Sequence, residues 1–209
     1  MNTIVERGDT EDKIMFNRIL SALLGFPLVF VVLVFGNTYI VAIMICIIAI
    51  TTIYEFIHVF SGKEKHIKYI ANLVGTIYIV GFMAFIPILY GIENGKIYIW
   101  YLMFAAWGTD IFALIVGKTL GKHKLCKISP SKTIEGSIGG IIGCLLFIIP
   151  YTVFVNNYFG LNISYLYIII IGILLSILGQ IGDILASAVK RYVGIKDFSN
   201  LIPGHRRNA

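Results

Sequence analysis

Apolar residues in this chain come in long runs broken by short polar loops. They show neither the alternation of a half-buried strand nor the single stripe of a surface helix. Six runs stand out, roughly Ile19–Phe35, Tyr39–Ile57, Ile70–Tyr90, Ile97–Gly117, Ile134–Val155 and Ile163–Val189. Each is close to the 20 residues that carry a helix across about 30 Å of hydrocarbon. The expected fold is all-α: a polytopic transmembrane helical bundle of about six spans. Only Gly36, Asn37 and Thr38 separate the first two runs, which predicts a tight helical hairpin. Pro87 predicts a kink near the end of the third.

Composition agrees with this pattern. The chain is 58% hydrophobic and 13% charged, whereas a soluble domain of 209 residues would be about a quarter charged. Of its 17 Lys and Arg, only Lys96 falls in an alternate loop of the six-span scheme; all others share one side. By the positive-inside rule that side is cytoplasmic, with both termini there, in the cell inner (plasma) membrane. Residues 1–18 then form a cytoplasmic N-terminal segment and 190–209 a cytoplasmic tail around one integral-membrane domain, 1–209. The polar start, Met1 to Asp12, is a poor leader, so the first run is read as a retained helix. The net charge of +6 sits in short loops, which favours lipid headgroups and phosphates over nucleic acid. Cys46, Cys126 and Cys144 lack the spacing of a zinc or disulfide framework and read as packing residues.

Asp110 and Asp183 fall within spans, where a carboxylate costs several kcal/mol and marks a candidate site. Asp110 precedes Lys118 by eight residues and Asp183 precedes Lys190 by seven, so both lie roughly 10–12 Å beneath a basic rim. Two carboxylates at one depth predict a pocket open to the cytoplasm and suited to Mg²⁺ carrying nucleotide phosphates. Ala106, Asp110, Ala113 and Gly117 share a helical face, as do Gly172, Ser176, Gly179, Asp183, Ser187 and Lys190. The plain alternative is a structural hydrogen bond within the bundle. Glu55, beside His58, reads as a carboxylate reaching the interface.

Two polar segments complete the candidate chemistry. Gly121-Lys122-His123-Lys124 leads into Ser129-Pro130-Ser131-Lys132-Thr133-Ile134-Glu135-Gly136. Ser129 is a candidate N-cap with Pro130 at the first helical position, opening the fifth helix as an anion site with Lys132 and Thr133. Gly136/Gly140 and Gly139/Gly143 predict close helix packing. At the far end come Ser187, Lys190, Arg191, Lys196, Asp197 and Pro203-Gly204-His205, basic groups able to neutralise a triphosphate and a lipid phosphate together.

These segments resemble the bacterial phosphatidate cytidylyltransferase (CDP-diacylglycerol synthase) family over essentially the whole chain. The resemblance rests on Arg18-Ile19-Leu20-Ser21-Ala22, Tyr54-Glu55-Phe56, Trp107-Gly108-Thr109-Asp110, the two loop motifs, and Ser187 through Lys196-Asp197 to His205. It implies attack of phosphatidic acid on the α-phosphorus of CTP, giving CDP-diacylglycerol and pyrophosphate. Mg²⁺, with a monovalent cation left open, would be the cofactor. It implies Asp197 and Asp183 as metal ligands, Asp183, Lys190, Arg191, Lys196 and Asp197 as the catalytic set, and Asp110, Lys122, Lys124, Ser129, Lys132, Thr133, Ser187 and His205 as substrate contacts. CTP, phosphatidic acid and membrane lipids are the expected partners, with a homodimer left open. Ser131 stands where the family usually has a second Lys. After His205 the family continues with Gly-Gly and further aspartates, whereas this chain reads Arg206-Arg207-Asn208-Ala209. The expectation is a C-terminally truncated member, catalytically incomplete. The competing expectations are a CTP-dependent polyprenol or phytol kinase, a small transporter using the intramembrane aspartates, and a non-catalytic remnant.

Overall fold

A computed structural model describes residues 27–60, 64–126 and 128–194, and these are helical apart from short connections. A helix described over residues 27–35 (α1) is followed by α2, Thr38–Val59; α3, Lys65–Gly91; α4, Gly95–Thr119; α5, Ile134–Phe159; and α6, Tyr165–Val193. The last five are long and apolar enough to cross a membrane. The chain is a multi-pass membrane protein. The helices outrun the apolar runs at several ends: α3 begins at Lys65, so Lys65 and Lys68 lie in its first turn, and Lys190 and Arg191 lie in the last turn of α6. The first part of the first run, residues 19–26, lies outside the described residues.

The chain divides into two compact units. In the first, Asn37 caps α2 by accepting a hydrogen bond from the Ile40 N–H at 2.9 Å, so the hairpin turns within Gly36 and Asn37. Tyr90, buried near the end of α3, donates its hydroxyl to the Gly36 carbonyl at 2.8 Å and pins that turn. Leu33, Val41 and Ile45 are buried beside it.

The second unit, Glu93–Gly194, packs α4, α5 and α6 around Ile97, Tyr101, Ala105, Cys144, Ile148, Val155 and Ile168. Lipid gives no hydrophobic gain for bringing helices together, so close backbone approach has to supply the attraction. The α4–α5 seam does this with glycine. A Cβ on Gly143 would stand 2.4 Å from the Gly108 carbonyl oxygen and 2.4 Å from the Phe112 Cβ; one on Gly139 would stand 2.6 Å from Val116. Gly136 and Gly140 are confined less tightly, by the Ala113 carbonyl (2.8 Å) and the Thr109 carbonyl (3.1 Å). The close packing expected of these four glycines is present. Further along, Tyr101 donates to Thr152 Oγ1 (3.0 Å) and Tyr151 to the Ile97 carbonyl (3.2 Å). On α6, Gly172 faces Ile148 of α5, while Gly179 and Gly182 have nothing within 4 Å among the described residues.

Candidate functional site

The α4–α5 connection is a hairpin-like arm folded back on the start of α5. His123 to Leu125 run antiparallel to Lys132 to Ile134. The Leu125 N–H donates to the Lys132 carbonyl and the Ile134 N–H to the His123 carbonyl, each at 2.9 Å. The turn between them is closed by the Lys132 N–H on the Ser129 carbonyl at 3.0 Å, with Pro130 in the second position, where its fixed φ fits. This corrects the expectation for the helix start. Ser129 is a buried turn residue, and Thr133 is the N-cap: its Oγ1 accepts from the Gly136 N–H at 3.0 Å. Ser129-Pro130 and Thr133 are both chemically able to open a helix, and the pairing of the two arms decides for Thr133. The Ile134 and Gly136 N–H groups are thereby committed, leaving fewer donors for an anion than the sequence suggested.

Glu135, in the first turn of α5, holds the arm. Its carboxylate accepts from the backbone N–H of Lys122 (3.2 Å) and of His123 (3.2 Å), and lies 2.6 Å from His123 Nδ1. Lys122, His123 and Lys124 are exposed along it. The Gly-Lys-His-Lys segment is therefore fixed to the helix that begins the site.

Beneath the arm lies a cavity of about 340 Å³ between α4, α5 and α6. Asp110 comes from α4, Lys132 and Thr133 from the start of α5, and Gln180 and Asp183 from α6. Four of the sequence-derived candidates, Asp110, Lys132, Thr133 and Asp183, thus line one space. Lys132 Nζ reaches across to Asp183 Oδ2 at 2.7 Å, and Asp110 lies within electrostatic reach of both. The equal depth of the two aspartates along their helices has become a shared site.

The other candidates lie around or beyond this space. Ser187 donates its hydroxyl to the Asp183 carbonyl at 2.8 Å, a bond within α6 that occupies its proton. Arg191 lines a separate shallow concavity with Ile128, Pro130 and Ala188. Lys190 is partly buried one residue before it. Lys196, Asp197 and His205 lie outside the described residues. Among the described residues, no three His, Cys, Asp or Glu side chains gather as a ready-made metal cage.

A buried polar layer beneath the cavity was not foreseen. Thr109 Oγ1 donates to Ser176 Oγ at 3.0 Å. Gln180 Nε2 donates to Ser176 Oγ and to the Ser137 carbonyl, both at 3.2 Å. It ties α4, α5 and α6 together at the level of the aspartates. The available signal was spacing: Ser176, Gln180 and Asp183 follow one another at helical intervals on α6, and Thr109 adjoins Asp110.

Comparison with known proteins gives this geometry a context. Residues 61–205 match the profile of the Cytidylyltransferase family. A phosphatidate cytidylyltransferase of Bacillus subtilis (strain 168) is 42% identical over 114 residues, which is 54% of this chain and 41% of the relative. One from Staphylococcus haemolyticus (strain JCSC1435) is 45% identical over 127 residues, 60% of this chain and 46% of the relative. One from Staphylococcus aureus (strain COL) is 40% identical over 129 residues, with the same coverage of each chain as the S. haemolyticus protein. The chain spans less than half the length of these curated relatives.

Proposed function

We propose a function from one premise: the chain belongs to the cytidylyltransferase family. It transfers a cytidylyl group from CTP to phosphatidic acid, forming CDP-diacylglycerol and releasing pyrophosphate. The observation that carries the reading is the cavity in which Lys132, Asp110 and Asp183 converge just inside the basic end of the second unit. A nucleotide triphosphate needs cations and hard oxygen-bound metal at its phosphates, and a lipid phosphate needs access from the bilayer. A site among membrane helices under a lysine-bearing arm meets both needs.

An oxygen of the phosphatidic acid phosphate attacks the α-phosphorus of CTP, and the bond to the β-phosphate oxygen breaks. No protein nucleophile is required. Lys132 brings positive charge to the phosphates, and Asp183 holds its ammonium across the cavity. Lys122 and Lys124, on the arm fixed by Glu135, add charge at the mouth. Lys190 and Arg191 extend the basic rim from α6, with Lys196 and His205 assigned to the same role. Two carboxylates on one cavity fit Mg²⁺, which is commonly held by one or two carboxylates together with substrate phosphates. Asp183 and Asp197 would hold it, with Asp110 lining the same cavity. Once bound, it would offset charge on the leaving pyrophosphate. The basic end faces the cytoplasm, in the plasma membrane, by the charge asymmetry of the loops.

The test is CDP-diacylglycerol formation from labelled CTP and phosphatidic acid by the full chain in liposomes with Mg²⁺. Lys132→Met and Asp183→Asn should each lower turnover by about 100-fold. Lys96→Met, in the first turn of α4 at the end assigned to the opposite side, should leave it unchanged. Release of CDP in place of pyrophosphate would move the reading to a lipid kinase. Activity indifferent to Lys132 and Asp183 would overturn the site.

A further inference from the structure

Three members of the buried polar layer, Thr109, Ser137 and Gln180, also line the cavity, and Gln180 does so from α6 together with Asp183. It is only 9% exposed. Both of its good hydrogen-bonding contacts are made by Nε2, to the Ser137 carbonyl and to Ser176 Oγ. A backbone carbonyl can only accept, so the amide nitrogen must face it, and the orientation of the side chain follows from chemistry. Ser176 is itself held by Thr109, so the amide is braced by α4, α5 and α6 at once. Its two hydrogens are spent. Its oxygen, Oε1, meets no donor among the described residues. The group that Gln180 offers the cavity is therefore a fixed acceptor that cannot reorient to donate.

This divides the cavity chemically. Lys132 suits phosphates, which at neutral pH are acceptors. Gln180 is unsuited to them, because acceptor would face acceptor. Within a nucleoside triphosphate, only the base and the sugar carry hydrogen-bond donors. We infer that Gln180 reads a hydrogen-bond donor on the nucleoside part of the substrate, either the amino group of cytosine or a ribose hydroxyl, and so sets nucleotide specificity. The inference rests on the cytidylyl-transfer reading and adds a residue to it. An acceptor that a bound nucleotide shuts off from water without supplying a donor is costly, so a nucleotide lacking the donor is rejected even when its phosphates bind normally. Uracil, with a carbonyl in place of the amino group, would add direct repulsion.

The experiment is equilibrium binding of CTP, UTP and dCTP to the full chain in lipid nanodiscs, compared with Gln180→Met and Gln180→Glu. The wild-type chain should prefer CTP over UTP, or CTP over dCTP, by about ten-fold, and the analogue that is rejected identifies the donor. Gln180→Met should abolish that preference. Gln180→Glu, which can protonate toward Ser137 and keep an acceptor toward the cavity, should retain the ratio while binding every nucleotide more weakly. Equal wild-type affinity for all three nucleotides would overturn the inference without requiring any variant to fold. So would a ratio unchanged in Gln180→Met, or a loss of Mg²⁺ affinity with the nucleotide ratios intact, which would make Gln180 an ion ligand. A wild-type chain that binds no nucleotide would overturn the cytidylyl-transfer reading, and this inference with it.

Discussion

Replacing Gly143 by Ala sets two opposing effects against each other, and the structure says which wins. In a helix interior alanine is favoured over glycine by about 1 kcal/mol. At this position, however, the new methyl would sit 2.4 Å from the Gly108 carbonyl oxygen and 2.4 Å from the Phe112 Cβ. Ordinary contact is about 3.5 Å or more, so the helices must part by roughly 1 Å. Neither obstacle is the end of a flexible side chain. Overpacking of this kind costs about 1–3 kcal/mol, here toward the upper end, which leaves a net loss of about 1–2 kcal/mol. The same substitution at Gly179, which has nothing within 4 Å among the described residues, keeps only the propensity gain. Denaturant titration of the full chain in mixed micelles should therefore rank Gly179→Ala at or above wild type and Gly143→Ala clearly below it. The displacement also moves Asp110, two residues from Gly108, against Lys132. A shift near 1 Å is expected to cost about 100-fold in turnover. Gly143→Ala as stable and as active as wild type would refute the account of the seam.

Other outcomes follow from single contacts. Thr133→Val removes the cap on the Gly136 N–H and should cost about 1 kcal/mol in the same titration, with Thr133→Ser recovering most of it. Were Ser129 the true cap, Ser129→Ala would carry that loss instead. Tyr90→Phe deletes the hydroxyl that holds the Gly36 carbonyl and should destabilise the first unit by about 1 kcal/mol. Faster hydrogen exchange at residues 36–41, with exchange in α5 unchanged, would locate the effect.

Much of this architecture was legible because lipid simplifies the code. Apolar length gave the described helices to within a few residues, and the spacing of Gly136, Gly139, Gly140 and Gly143 gave the seam. Asp110 and Asp183 could be paired because each lies a similar number of residues from a basic marker on its own helix. What escaped was set by contacts between segments. Ser129 and Thr133 are both competent caps, and the choice depends on strand-like pairing with residues 123–125. Glu135 resembles an ordinary first-turn acid until the arm twelve residues earlier folds onto it. Gln180 belongs to no motif, and its meaning lies in where its amide hydrogens go.

The uneven packing of α6 also bears on how the site is held together. At Gly172 the helix is locked against Ile148, and across the layer at Ser176 and Gln180 it is held by hydrogen bonds. On the same helix a Cβ added at Gly179 or Gly182 would meet nothing within 4 Å among the described residues, so that face of α6 is open. The α4–α5 pair cannot spread without surrendering its glycine contacts, so it is the firmest wall of the site. α6 meets that pair at Gly172 and through the polar layer, and it carries Asp183 less than one turn past Gln180. Any change in the separation of α5 and α6 at this level would therefore register directly in one ion pair, Lys132 with Asp183.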